Sequence, residues 1–398
     1  MNELFKFKNI KIVSLEELIN EKSIELGRGN VISKIDIRNN PGMYPIYSSS
    51  ANNEGKMGQY SKFMFNEELI TWSVDGGGNF FYKKKHKFSV TNVCGYMRAN
   101  KEEFDIKFLH EILSYQHKYL NFDYQFKAHP SVIRKLYKIP KLSLLEQKKI
   151  SSILKSFDDL FDKYDDKIRK LEFFKKSILK KLFKEGINNN EFKNTELGKL
   201  PKNWECKKIS EVAKLERGKF THRPRNDPSY YNGKYPFIQT GDIPKEFYEI
   251  SKYKQTLNEK GLNVSKVFPS GTLVLTIAAN IGEVGILKFD SCFPDSLVGI
   301  SVDEKKADKM YILFMMKNLK KKLEQLSPES AQKNINLDIL QNLIIPVPKL
   351  KEQQEISSII KNIFNQTYLL NKKKIKLIDL KKSVSSDIVR GKINISLN

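Results

Sequence analysis

Pro140-Lys141-Leu142, followed by Glu146-Gln147 and Ile150-Ser151-Ser152-Ile153, is met a second time as Pro348-Lys349-Leu350, Glu352-Gln353 and Ile356-Ser357-Ser358-Ile359. From Glu146 onward each position i is answered at i + 206, Glu146 by Glu352 and Ser177 by Ser383. The first copy carries two extra residues between Leu142 and its Glu-Gln pair. A repeat of this kind governs the fold, because two copies of one unit are built to pack in the same way. Steps of three and four residues mark each copy as an amphipathic helix. The first stripe runs Ile150, Ile153, Phe157, Leu160, Tyr164, Ile168, Leu171, Phe174, Ile178 and Leu182. The second runs Ile356, Ile359, Ile363, Leu370, Leu377, Leu380, Val384 and Ile388, and weakens at Gln366 and Lys373-Lys374. About 39 residues at 1.5 Å each make a rod of roughly 60 Å. A rod of that length cannot bury its stripe alone, so the two copies are expected to pair with each other. The expected interface is Ile150, Ile153, Phe157, Leu160, Leu171 and Ile178 against Ile356, Ile359, Ile363, Leu377, Leu380 and Val384.

Outward from the rods, the same plan is repeated. Before the first rod lie plausible strands at Ile10–Val13 and Leu69–Trp72, a sharp loop at Asp75-Gly76-Gly77-Gly78-Asn79, and a helix over Phe104–Tyr119. Gly186 and Asn188-Asn189-Asn190 then supply a helix stop and a polar linker. After it, Arg217-Gly218 answers Arg28-Gly29, Gly233-Lys234-Tyr235-Pro236-Phe237 answers Gly42-Met43-Tyr44-Pro45-Ile46, and Leu273–Thr276 answers Leu69–Trp72. A helix over Met310–Leu326 follows. The expected class is α+β: two pseudo-repeated α/β units, residues 1–139 and 191–345, separated by two long helices over 140–190 and 346–398.

The 398 residues exceed one typical core. With 40% hydrophobic and 11% aromatic residues, wholesale disorder is excluded. A net charge of +24 points to a polyanionic partner, nucleic acid first and an anionic membrane surface second. No apolar run is long enough to span a bilayer, and Met1–Lys6 opens without a signal-peptide pattern. Cys94, Cys206 and Cys292 are far apart and odd in number, which suits cytosolic thiols better than a disulfide framework or a zinc site.

Two basic stretches read as DNA-facing loops. Lys83, Lys84, Lys85 and Lys87 surround His86 between Phe80-Phe81-Tyr82 and Phe88, while Arg217, Lys219, His222, Arg223 and Arg225 surround Phe220. Arg28 joins them by its correspondence with Arg217. Arginine can fork onto guanine or phosphate, and lysine serves phosphate as a point charge. Enzymatic patterns are weaker. Pro294-Asp295 with Asp303-Glu304-Lys305 fits a loose magnesium-nuclease pattern, in which Asp295, Asp303 and Lys305 at adjacent strand ends would hold the ion. Asn226-Asp227-Pro228-Ser229-Tyr230 lacks the middle proline of the Asp-Pro-Pro-Tyr motif of amino-methyltransferases, and no glycine-rich turn for S-adenosylmethionine accompanies it. There is no Walker A sequence and no metal-spaced histidine pair.

These residues carry a resemblance to the specificity subunits of type I restriction-modification systems, over nearly the whole chain. It rests on the two Pro-x-Leu…Glu-Gln…Ile stretches, on Ser330–Asn336, on Pro269–Thr276 and on Pro294–Ile300. The last match gives Pro294-Asp295 an explanation other than nuclease chemistry. Ala128-His129-Pro130-Ser131-Val132-Ile133 stands in the first half where Ser330–Ile335 stands in the second. The resemblance implies two target-recognition domains, each reading half of a split site in double-stranded DNA, separated by an antiparallel, coiled-coil-like helix pair that sets their spacing. It further implies docking of two methyltransferase subunits and of restriction/translocase subunits in the cytoplasm. No catalytic centre, metal or cofactor is then expected in this chain. S-adenosylmethionine, ATP and magnesium would belong to the partner subunits.

Overall fold

A computed structural model describes residues 10–50, 52–75, 77–120, 127–245, 247–326 and 334–392. Met1–Lys6, Gly76 and residues 330–333 of the stretches quoted above lie outside the described residues. The chain forms two compact units, one ending at Lys163 and resuming at Lys374, the other comprising residues 164–373.

The strands of the first unit are β1 (Ile12–Ser14), β2 (Ile24–Arg28), β3 (Tyr44–Tyr47), β4 (Lys56–Tyr60), β5 (Phe65–Ser73), β6 (Phe80–Val90), β7 (Cys94–Ala99) and β8 (Lys138–Pro140). Six of them form one sheet in the order β2-β7-β5-β6-β3-β4, while β1 and β8 make a separate antiparallel pair. The period of two along β5 divides its side chains between two cores. Ile70 and Trp72 join the helix Ile106–His117, and Leu69 joins Phe65, Phe88 and Val90 on the other face. The Trp72 ring fits only because Gly95 faces it, since a Cβ there would lie 2.1 Å from the indole.

In the second unit come β9 (Phe192–Thr195), β10 (Gly198–Pro201), β11 (Glu205–Lys208), β12 (Ala213–Arg217), β13 (Tyr231–Phe237), β14 (Glu249–Ile250) and β15 (Gln255–Leu257). They are followed by β16 (Val267–Phe268), β17 (Leu273–Thr276), β18 (Val284–Leu287), β19 (Ser291–Cys292), β20 (Leu297–Val302) and β21 (Ile344–Val347). One sheet has the order β12-β20-β17-β18-β14 and another β15-β13-β19-β16. The path β12-β20-β17-β18 repeats β2-β7-β5-β6, and β11 with β21 repeats β1 with β8. Even the central strand divides alike: Leu273 and Leu275 enter one core and Val274 the other. The helix expected over Met310–Leu326 is broken at Leu319 into Lys309–Asn318 and Lys320–Leu326.

Each long helix follows directly from the short strand pair of its repeat. The first spans Leu144–Glu185 and the second Leu350–Val389. Ser143 and Glu146 box the start of the first, with Ser143 N donating to Glu146 Oε2 at 2.8 Å and Glu146 N to Ser143 Oγ at 3.3 Å. Gly186, at φ 68°, ends it where a left-handed residue is required. The boundary between the two compact units falls inside both helices, so each helix belongs in part to each unit. Within the first unit the helices run antiparallel: Ile150 and Leu154 share a core with Ile388 and Val389, and Asp158 meets Lys381 at 2.5 Å. Within the second, Leu182 and Phe183 share a core with Ile356 and Ile360, and Lys175 Nζ lies 4.7 Å from the Phe364 ring.

The expected stripe needs correction at four of its twelve interface positions. Ile150, Ile356 and Ile363 are buried, and Phe157, Leu171, Ile178, Leu377 and Val384 are half-buried. Ile153, Leu160, Ile359 and Leu380 are exposed, whereas Leu154 and Ile360 are completely covered. In both copies the residue four after the leading isoleucine turns inward, and the residue three after it turns out. The reason is that the helices first serve the cores of their units, into which Ile150 and Ile356 point, and a 3.6-residue period then carries i + 4 along that line.

Candidate nucleic-acid interface

In the second unit β12 ends at Arg217 and the chain turns through Gly218, where a Cβ would lie 2.4 Å from the Pro294 carbonyl oxygen. The segment from there to β13 is anchored by backbone bonds, Lys219 N to the Phe293 carbonyl and Thr221 N to the Val264 carbonyl, and by an aromatic cluster. Phe220 is buried among the rings of Tyr230, Tyr231 and Phe237. Burying that ring leaves its polar neighbours outward: Lys219, Arg223 and Arg225 are exposed. His222 stacks on Tyr230 at 3.9 Å, with Nε2 3.2 Å from Asp227 Oδ2. The Arg223 guanidinium donates to the carbonyls of Phe220 (2.8 Å) and His222 (2.7 Å). Arg225 reaches Asp295 Oδ1 at 2.5 Å, and its own carbonyl accepts from the Tyr231 hydroxyl. Two arginines are thus braced before any partner arrives, which lowers the ordering cost of binding.

Beside Arg225 lies a cleft of about 380 Å³, lined also by Asn226, Asn232, Lys254, Gln239 and Gln255. Gln239 Nε2 donates to Gln255 Oε1 at 2.7 Å. Arginine matches a guanine edge, and asparagine or glutamine matches an adenine edge. The sequence analysis found the arginines through their charge. It missed the amides, which carry none and come from strands and loops brought together only by the fold.

In the first unit the basic run is part of strand β6 and not a loop. Lys83 pairs in register with Leu69 and its side chain is only 2% exposed. Its Nζ donates to the Glu54 carbonyl at 2.9 Å and sits 3.8 Å from the centre of the Tyr47 ring. Burial holds its pKa below the usual lysine range, against the opposing pull of Glu54. Lys83 therefore leaves the DNA-facing set. Lys84 and Lys85 are exposed at a bulge, since the pairing passes from Glu67↔His86 to Leu69↔Lys83. Lys87 lies over the rings of Phe63 and Tyr44. The two matched arginines are exposed but tethered: Arg28 Nε donates to the Asn92 carbonyl at 2.6 Å, and Arg217 donates to that of Ile335 at 3.2 Å.

The nuclease alternative is corrected by strand geometry. Asp295 precedes β20 and Asp303 follows it, so they stand at opposite ends of one six-residue strand. At about 3.3 Å per residue that separates their backbones by more than 20 Å, too far to share an ion. Asp295 is engaged by Arg223 and Arg225, and Asp303 accepts from the Lys305 backbone. Among the described residues no three His, Cys, Asp or Glu side chains gather as a metal site, and no helix is long and apolar enough to cross a membrane.

Comparison with known proteins matches the chain twice. The type I restriction modification DNA specificity domain matches residues 8–172 and again 201–379. The specificity subunit of the type I restriction enzyme MjaVIII of Methanocaldococcus jannaschii is 27% identical over 380 residues, covering 89% of this chain and 87% of that protein. The putative MjaX specificity subunit of the same organism is 30% identical over 262 residues, 65% of this chain and 60% of that protein. In fold, the crystal structure of a type I restriction-modification S subunit from M. genitalium aligns over 100% of both chains, with a TM-score of 0.63 at 14% identity.

Proposed function

The chain belongs to the family of type I restriction-modification DNA specificity proteins, and from that premise we propose how it works. It is the specificity subunit of a type I system, with two target-recognition domains. Each domain reads one half of a bipartite site in double-stranded DNA. The observation that carries this reading is the doubling. The specificity domain occurs twice, the two copies share a four-strand path, and their exposed basic segments differ in sequence. One scaffold carrying two surfaces is what a split recognition site requires.

The chain contributes recognition and assembly, and the chemistry belongs to its partners. Two methyltransferase subunits dock on it and methylate adenine with S-adenosylmethionine. Restriction/translocase subunits supply ATP-driven translocation and magnesium-dependent cleavage. All of this takes place in the cytoplasm. Phosphate contacts from exposed lysines would set affinity and its salt dependence, while arginines and amides would set sequence.

The test is a methylation map of the host genome with and without this chain. A bipartite adenine-methylated motif should be present with the chain and vanish without it. Purified chain incubated with DNA and Mg²⁺ should leave the DNA intact. A motif that persists in the deletion strain would refute the assignment, and so would cleavage by the chain alone.

A further inference from the structure

The sequence placed the first unit's reading surface around Arg28 and on Lys83–Lys87, and the second of these lies within strand β6. The matched topology of the two units points elsewhere. In the second unit, the braced arginines lie between β12 and β13. The strand corresponding to β12 is β2, and the strand corresponding to β13 is β3. Both β3 and β13 carry the Tyr-Pro pair, and each runs parallel to a neighbour, Ile46 opposite Ser89 and Phe237 opposite Cys292. The counterpart of the arginine segment is therefore residues 29–43, which contain the short helix Lys34–Asn39.

This helix is held in place without contributing to a core. Ser33 and Asp36 form a full capping box, with Asp36 N donating to Ser33 Oγ at 3.0 Å and Ser33 N to Asp36 Oδ2 at 2.8 Å. At the other end Ser61 N donates to the Asn40 carbonyl at 2.9 Å, beside the edge strand β4. None of its six residues is buried. Lys34 and Arg38 are exposed, and so are three apolar side chains of the segment: Val31 at 76%, Ile35 at 66% and Met43 at 75%. Ile37 is half-buried and packs toward Gly58 of β4, which accounts for how the helix is held, but folding does not explain why Ile35 and Arg38 are turned outward.

We infer that the helix Lys34–Asn39 is the base-reading element of the first target-recognition domain, with Arg38 reading a base edge and Ile35 packing on a thymine methyl. The inference rests on the function proposed above. Charge selects DNA as the occupant. From Arg28 to Phe63 the sequence carries five lysines and arginines against two carboxylates. Asp36 is engaged in the capping box, and the stretch keeps a net charge of 5 − 2 = +3. The mixed character fits a major groove, which offers acceptors to arginine and methyl groups to apolar side chains. An acidic protein would meet the same cations, but it would give no base-specific readout.

The experiment is selection from a randomised DNA library by the complex that the full-length chain forms in its host, with Arg38→Ala compared to wild type. Arg38→Ala should reduce preference roughly tenfold or more at one base pair of a single half-site and leave the other half-site unchanged. Melting should be unaltered, since Arg38 is exposed. An unchanged motif would overturn the inference. A uniform loss of affinity with the same base preferences, or a change in both half-sites, would overturn it as well. If Arg38→Ala abolishes binding altogether, Ile35→Ser on the same helix decides by the same reading. A wild-type complex that selects no bipartite motif would instead refute the proposed function.

Discussion

At the scale of single residues, the repeated glutamine shows how a visible motif can conceal its role. Gln147 and Gln353 were legible as equivalent, but nothing in their spacing says what they do. Both are buried. Gln147 donates to the Leu142 carbonyl and accepts from Asp105 N, while Gln353 donates to the Pro348 carbonyl and accepts from Asp308 N. Asp105 and Asp308 in turn cap the helices Ile106–His117 and Lys309–Asn318. Each glutamine thus ties the start of a long helix to the start of a domain helix. Gln353→Leu, close in volume, would strand a buried donor and acceptor and should cost about 1–3 kcal/mol, read from urea denaturation. Gln147→Leu should cost at least as much, because the Glu103 carbonyl also loses its donor. Lys83 teaches the opposite lesson. Charge was legible there and the facing was not, because Glu54 and Tyr47 reach it from distant parts of the chain. Lys83→Met should leave DNA affinity and its salt dependence unchanged. The pair Arg223→Ala with Arg225→Ala should weaken binding, and the salt slope should flatten by roughly one for each phosphate contact removed.

At the scale of elements, the long helices were found in the sequence almost to their ends, but four of the twelve positions expected in their buried face, Ile153, Leu160, Ile359 and Leu380, are exposed. Periodicity fixes a stripe only to within neighbouring positions, and here the cores of the two units choose among them. The consequence is measurable. Leu154→Ala, at a fully covered position, should cost about 2–5 kcal/mol in chemical denaturation, while Ile153→Ala should stay within roughly 0.5–1 kcal/mol. Ile360 and Ile359 should repeat the contrast. The helices also meet through charge. Asp158 accepts from Lys107 at 2.7 Å and from Lys381 at 2.5 Å. Partial burial opposes its ionisation, but the two ammonium groups outweigh burial and hold its carboxyl below the ordinary aspartate range. A depressed pKa gives stability that is present above the unfolded value, near 3.9, and is lost as pH falls through the folded value. Wild type should therefore melt above Asp158→Asn at pH 7, and the gap should close as pH falls below about 4.

At the scale of the whole molecule, the sequence suggested four consecutive pieces, whereas the chain packs as two units whose boundary cuts both long helices. Internal repetition was legible because it is written along the chain. The assignment of helix halves to units was not, because it depends on which side chains meet after folding. Leu182, Phe183, Ile356, Ile360 and Phe364 belong to the long helices, yet they share one core with Trp204, Tyr311 and Phe314. This bears on domain exchange. Replacing residues 191–345 with those of a relative would join a foreign sheet to native helix residues and divide that core between two origins. Each mismatched large side chain risks a cavity or a clash costing about 1–5 kcal/mol. Replacing residues 164–373 moves the core intact and places both junctions at exposed lysines, Lys163 and Lys373. Both hybrids should change one half of the methylated site and leave the other as it was, but the hybrid joined at 164 and 373 should melt higher. Equal melting temperatures would mean that the helix halves add little to the second core. A hybrid of either kind that altered both halves of the site would mean that the two units do not read DNA independently.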